Sequence, residues 1–523
     1  MMRSVLVGAA LAVALGSGMA VAQAPKAGGA LNFAVVAEPP SYDCHASTTF
    51  ALLHPIAPHY STLLKFDGAA YPKVIGDLAK SWTISDAGKR YTFTLHQPIM
   101  FHDGSPLTSA DIKASYDRIA NPPEGIVSAR RAFWADLDGI DAPDAATVTF
   151  RFKVPVAGMQ EHFANPYNCI YSAAKLKANP RYPETEIMGS GAFRFVAHVK
   201  GATWEGTKFE NYFRAGLPRL DGYKAFFVKN TAVVPGLLGG QFSAEFRGQN
   251  PKERDQLLAE GKDRFVAREG TWVGALMVVF NTKKKPFDDV RVRQALSLAI
   301  DRWGGSPPLS KISILKGVGG VQRPGATMAL PEAELVKLPG FGKNAEASRA
   351  EARKLLKDAG VETLNLRLVN RNVAEPYTPG GIYVVDQLRR IGVTAQHEQL
   401  ETKLYFDAVA AGNFDLAIEF INDPNDDPTQ QFAKYVSKKL SSIGYSGHSD
   451  DKLDGLYEAQ RREIDPMKRM KIVHDLERHA LTQAYNVPLL WYHRIIVLDK
   501  KVKGWHFTPS HYVQQDLTEV WLE

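Results

Sequence analysis

Apolar residues fall along the chain in two rhythms. Leu276, Met277, Val278, Val279 and Phe280 run unbroken, the pattern of a strand covered on both faces. Three lysines and Pro286 end that run, because proline cannot donate into a sheet. Asp288 or Asp289 is placed to cap a helix. Beyond it Val292, Ala295, Leu296, Ala299 and Ile300 recur as one helical stripe. A buried strand therefore leaves one unit and an amphipathic helix opens another. Further strands are predicted at 30–36, 91–95, 364–369, from 393, at 414–421 and at 487–492, with helices at 344–360, 382–391, 406–412 and 467–481. Ile75, Leu78, Ala79 and Trp82 share one helical face. Strands alternating with helices after residue 344 predict a parallel-type α/β sheet.

A chain of 523 residues is too long for one core and divides into two or three domains. The formal charge of +7 is a mild excess on such a length, with no Lys/Arg run and no nucleic-acid motif, so nucleic acid is excluded as a partner. Arg3, the small apolar run 5–14 and Ala20-Val21-Ala22 read as a secretion signal cleaved near Ala22/Gln23, too short to span a bilayer. Gln23, not a cysteine, stands at that cleavage point, so a free periplasmic protein without a lipid anchor is expected. Cys44 and Cys169 are the only cysteines. In an oxidising compartment they form either one disulfide or two buried thiols, and the sequence leaves both open.

The stretch from Phe280 through Asn281-Thr282, Pro286-Phe287-Asp288-Asp289-Val290-Arg291 and on to Ile300-Asp301-Arg302 closely resembles the signature of the family 5 solute-binding proteins. These are the periplasmic dipeptide-, oligopeptide- and nickel-binding receptors of ABC importers. The segments 63–82, 101–112, 188–195, 209–221 and 444–453 resemble further family motifs. Residues 236–242 depart from it, because the usual acidic residue is missing. The resemblance implies an α/β, two-lobe periplasmic binding protein type 2 fold with an extra α/β subdomain inserted in lobe I. The expected divisions are signal peptide 1–22; lobe I 23–69, 191–283 and 490–523; inserted subdomain 70–190; lobe II 284–489. The crossings between lobes are expected near 281–285 and 488–492.

Candidate ligand-binding residues follow from the same resemblance. Tyr42 and Asp43 occupy a loop that lines the cleft in the family. Asp427-Pro428 matches the family's acidic loop, where a carboxylate meets the ligand's ammonium group; Asp423 stands for the upstream aspartate with its register displaced, and Asp426 lies between them. That loop follows the C-terminal end of a strand, the usual ligand position in open α/β sheets. The family's tryptophan is replaced near Phe420 or Ile421. Trp272, Phe420, Trp491 and Tyr492 are expected to enclose the ligand, and His448 to approach it. Fourteen histidines without ligand spacing argue against a metal site made by the protein, and no cofactor is expected. Ser172-Ala-Ala-Lys175 fits S-x-x-K but lacks its companion motifs, and there is no G-x-S-x-G, H-E-x-x-H or P-loop. The expectation is a non-enzymatic, monomeric import receptor that carries a peptide-like solute to an inner-membrane ABC permease. An oligosaccharide, opine, chelated metal or aromatic acid as ligand, or a sensor role, are the alternatives.

Overall fold

The computed structural model describes residues 24–523. The expected signal peptide and its cleavage point lie outside them. Two sheets organise the rest. The first has five strands in the order Ala244–Glu245, Ala30–Val35, Gly222–Phe227, Thr203–Lys208, Phe193–Val199. Its first three strands are parallel and the other two antiparallel. Leu31, Phe33, Trp204 and Tyr223 are sealed in the core against it. The second sheet has six strands in the order Leu315–Gly317, Asn486–Asp499, Phe265–Phe280, Leu416–Asn422, Leu364–Arg371, Val393–Leu400. The last three are mutually parallel, as strands separated by helices should be. The two long strands run antiparallel to each other, and Phe265–Phe280 also runs antiparallel to Leu416–Asn422, so the sheet is mixed rather than purely parallel.

Those two long strands connect the sheets. Phe265, Ile495 and Val497 are buried in a cluster with Ala34 of the five-stranded side. Leu276, Val278, Phe280, Leu489 and Leu490 are buried under the helices of the six-stranded side. Between them Arg268 and Glu269 are exposed, and the pairing shifts register between Thr271 and Ala275. The chain thus crosses at 268–271 and 493–494. The run Leu276–Phe280, expected to end the first lobe, is instead a central strand of the second sheet. Burial on both faces identifies a central strand but not the sheet that owns it, which is why the expected crossing at 281–285 falls too late.

Helix ends fall where side-chain chemistry sets them. Asp289 caps Val290–Ala299 by accepting from Arg291 N, and Thr108 with Asp111 forms a capping box on Ser109–Ala120. Asn344 caps Ala345–Asp358, and Gly360 follows with a positive φ of 74°. The helical face expected at 75–82 is wrong: Ala79–Ser85 is a strand paired with Arg90–Leu95 in a four-stranded antiparallel sheet completed by Thr147–Phe152 and Leu137–Asp144. Trp82 packs at the margin of that sheet's core and donates to Gln160 Oε1 at 3.0 Å. The sheet has its own core around Phe93, Tyr116, Phe150 and Phe163. Cys44 and Cys169 are joined in a disulfide with Cα atoms 6.1 Å apart.

Candidate ligand-binding site

The Leu416–Asn422 strand ends where the second sheet meets the first unit, and the loop 423–427 turns there into the short helix Pro428–Gln431. Ser510 of the C-terminal segment donates to Pro424 O at 2.6 Å, and Tyr71 of the first unit donates to Asp426 Oδ2 at 3.3 Å. Ala157 N also donates to Arg461 O at 2.8 Å across the same gap. A cavity of about 420 Å³ is lined by Phe66, Pro72 and Glu161 from one side and Met328, Asp426 and Arg469 from the other.

The three aspartates of this loop have different surroundings. Asp426 is gripped by Arg323, whose Nε and a terminal nitrogen lie 2.7 Å from its two oxygens. Asp427 is buried. It accepts from Arg469 at 2.8 Å and caps its helix through Thr429 N at 2.9 Å. Burial works to raise its carboxyl, but Arg469, His162 and these hydrogen bonds outweigh it and hold the group below the usual range. Asp423 receives only Gln431 Nε2, at 3.2 Å. Burial pushes its carboxyl up to about 6; Lys434 opposes that shift, and Asp427 and Asp426 reinforce it. Asp423 is therefore the one acid of the loop that no guanidinium neutralises among the described residues.

Aromatic and cationic side chains cluster near the ends of the neighbouring strands. The Phe420 ring carries Lys434 Nζ 4.2 Å from its centroid and meets Tyr377 edge-on at 6.0 Å. Arg371 ends the neighbouring parallel strand. It donates to Tyr377 Oη at 3.0 Å and stacks on that ring at 4.7 Å, with no carboxylate in ion-pair reach among the described residues. Trp272 and Tyr492 meet edge-on at 6.0 Å on the crossing strands, and Trp272 Nε1 donates to His511 Nδ1 at 3.0 Å.

Of the ten expected residues, Trp272, Tyr492, Phe420, Asp423 and Asp426 lie along this region. Asp427 adjoins it but is spent on Arg469 and its helix cap. The other four lie elsewhere. Trp491 is fully buried on the opposite face of its strand and donates to Gly320 O at 3.0 Å, because successive strand residues point to opposite faces. Tyr42 bonds His198 Nδ1 at 2.7 Å and packs edge-on against Trp204 in the five-stranded unit. Asp43 is 1% exposed; Arg118 grips both its oxygens and Tyr171 Oη donates to it at 3.1 Å. His448 is buried, stacks on Tyr485 at 4.0 Å and bonds Ser446 Oγ at 2.6 Å; burial pushes its imidazole down to about 4. Sequence reasoning missed Arg371, Tyr377 and Lys434. Arg371 had a usable sign, since it closes a strand parallel to the one that delivers Asp423.

The family described as bacterial extracellular solute-binding proteins, family 5 (middle), matches residues 73–442. The glutathione-binding protein GsiB of Pectobacterium atrosepticum is 31% identical over 245 residues, 46% of each chain. The chain thus spans about half the length of the curated relatives it matches. The periplasmic binding protein AgaA from A. tumefaciens R10, solved with agropinic acid, superposes with a TM-score of 0.78 at 22% identity over 95% of this chain and 99% of that one. Helicobacter pylori DppA, solved with the peptide STSA, gives 0.78 at 20% identity over 95% and 99%.

Proposed function

Because the chain belongs to the family 5 bacterial extracellular solute-binding proteins and has their type 2 periplasmic binding protein fold, we propose that it is the periplasmic receptor of an ABC importer, capturing a small peptide-like solute between its two units. It hands that solute, chemically unaltered, to an inner-membrane permease and acts as a monomer. The observation that carries the reading is Asp423. A half-buried carboxylate without an ion-pair partner costs free energy until a cation meets it. A ligand ammonium group supplies that cation, and Arg371, equally without an acid, takes the ligand's carboxylate. Phe420 and Tyr377 wall the space between.

The two crossings at 268–271 and 493–494 serve as the hinge. Ligand contacts that exist only when the units approach shift the population toward the closed form. The names of the relatives support a binding role, and AgaA and DppA extend the family's cargo from peptides to agropinic acid. Mass spectrometry of ligand co-purified with the native protein, followed by thermal-shift screening of di- and tripeptides, tests the proposal. A zwitterionic ligand recovered unchanged is expected. Steady conversion of that ligand to product would overturn it.

A further inference from the structure

We propose that Arg247 is a second anion subsite, so that the cargo is a small zwitterion carrying two acid groups. The inference rests on the ligand site proposed above and specifies its cargo.

Arg247 stands on the turn after the Ala244–Glu245 strand, and its backbone is fixed. Arg247 N and Gly248 N donate to the two oxygens of Glu245 at 2.9 and 2.8 Å, and Arg247 O accepts from Arg494 Nε at 3.1 Å. The side chain is left free. Its guanidinium lies 4.6 Å from the Phe50 ring centroid and 5.7 Å from that of Trp272. Among the described residues it makes no hydrogen bond and no ion pair, and its Nε is buried without a partner. The nearby acid, Glu245, is already occupied by the backbone donors of its own turn. Stacking on two rings therefore orients a cation that no carboxylate among the described residues pairs with.

Two more donors stand around the same indole. His511 lies 5.3 Å and Tyr492 6.0 Å from Trp272, ring to ring. Trp272 Nε1 has only a hydrogen to give, so His511 Nδ1 is the acceptor of their 3.0 Å bond and the His511 proton sits on Nε2. That Nε2 is buried with no partner among the described residues, while the Tyr492 hydroxyl is turned to its neighbour Tyr377. His511 is 1% and Tyr492 6% exposed. Buried polar groups are normally satisfied, and Arg247 Nε and His511 Nε2 are two buried donors left over beside one ring. A guanidinium and an imidazole N–H with no acceptor between them suit a carboxylate, which accepts several such bonds at once.

The second acid group follows from the layout. Tyr377 is a close neighbour of Tyr492 and raises its phenol along with burial, and Tyr377 also takes the Arg371 hydrogen bond. Arg371 thus contacts Tyr377, and Arg247 lies within electrostatic reach of its neighbour Tyr492. Phe420 lies beside both Lys434 and Arg371, so the Asp423–Arg371 end suits an α-ammonium with its own α-carboxylate. A remote carboxylate on the same molecule then falls to Arg247. A γ-glutamyl peptide has that arrangement: one ammonium and two separated carboxylates.

Glutathione and its glycine monoethyl ester, which lacks the remote charge, are the probes, and binding is read by calorimetry on the full chain. Wild type should bind the diacid roughly 10- to 100-fold tighter than the ester, the weight of charged hydrogen bonds. Arg247→Gln should remove that preference, and Arg247→Lys should keep part of it. Asp423→Asn should weaken both probes and leave their ratio intact. A ratio that survives Arg247→Gln, or a wild type that does not distinguish the probes or binds neither, overturns the inference. In either case the dipeptide Ala-Ala separates the two readings. If Asp423→Asn still weakens it, the underlying site stands and only the second subsite falls.

Discussion

Two acid-bearing loops follow strands of the two sheets, and sequence pattern alone did not tell them apart. The loop at 42–45 carries Asp43, whose carboxylate is gripped by Arg118, receives Tyr171 Oη and caps His45 N at 2.9 Å. Arg130 ties down the carbonyls of Ser47 and His45 beside it, and the Cys44–Cys169 disulfide anchors the whole. The loop at 423–427 carries three acids, two neutralised by Arg323 and Arg469 and one not. Saturation, rather than the presence of charge, separates scaffold from site. In the cavity beneath the C-terminal segment the acids Asp516 and Asp77 are likewise paired, with Lys65 at 2.7 Å and Arg214 at 3.1 Å.

If the first loop is scaffold, breaking it should cost stability and spare affinity. The largest loss is expected from the Cys44→Ser/Cys169→Ser double variant. Opening a loop with a sequence separation of 125 removes about 4–5 kcal/mol in the chain-entropy account. Urea unfolding of the oxidised wild type against the variant measures it. Arg118→Ala should follow at about 3–5 kcal/mol, because it leaves the Asp43 charge buried and unpaired. The folded fraction of each variant should bind ligand as wild type does. An affinity lost together with stability in Arg118→Ala would return the first loop to the site.

What the sequence made legible was local. The cap at Asp289, one of the two aspartates offered for it, rests on chemistry within a few residues, so it could be read from the sequence. The family signature identified the fold, and the loop at 423–427 was placed by its position after a strand. Partnership was not legible, because Arg118 lies 75 residues from Asp43 and Arg469 lies 42 from Asp427. Trp491 and Tyr492 were both expected in the cleft, although the two-residue period of a strand permits only one of two neighbours to face it. The proposed hinge did leave a trace: the polar Arg268-Glu269-Gly270-Thr271 interrupts an otherwise apolar strand where it passes between cores.

The second loop should respond in the opposite sense. Asp423→Asn removes a charge that the ligand-free protein does not neutralise, so the unliganded protein should melt no lower than wild type near pH 7. Affinity for an ammonium-bearing dipeptide should fall roughly 10- to 100-fold, the cost of a charged hydrogen bond. Calorimetry with Ala-Ala and its N-acetyl derivative sharpens this: wild type should distinguish the two and the variant should not.

The smallest effect is the most diagnostic, because its sign differs between stability and binding. The free Asp423 carboxyl sits at about 6, above the ordinary aspartate range, with burial the main cause. A carboxyl raised by folding favours the folded protein when protonated, so its contribution to unliganded stability grows as pH falls from 7 through 6 and is lost as pH rises again. A bound ammonium reverses the preference and holds the group ionised. Binding then expels a proton below pH 6, and affinity should drop by about tenfold between pH 7 and pH 5. Glu245 and Glu477, which burial pushes up to about 7, titrate in the same window. The informative quantity is therefore the difference between wild type and Asp423→Asn at each pH. Loss of the acidic fall in affinity in the variant assigns it to Asp423, and an unchanged slope would show that the loop's third acid is as fully satisfied as Asp43.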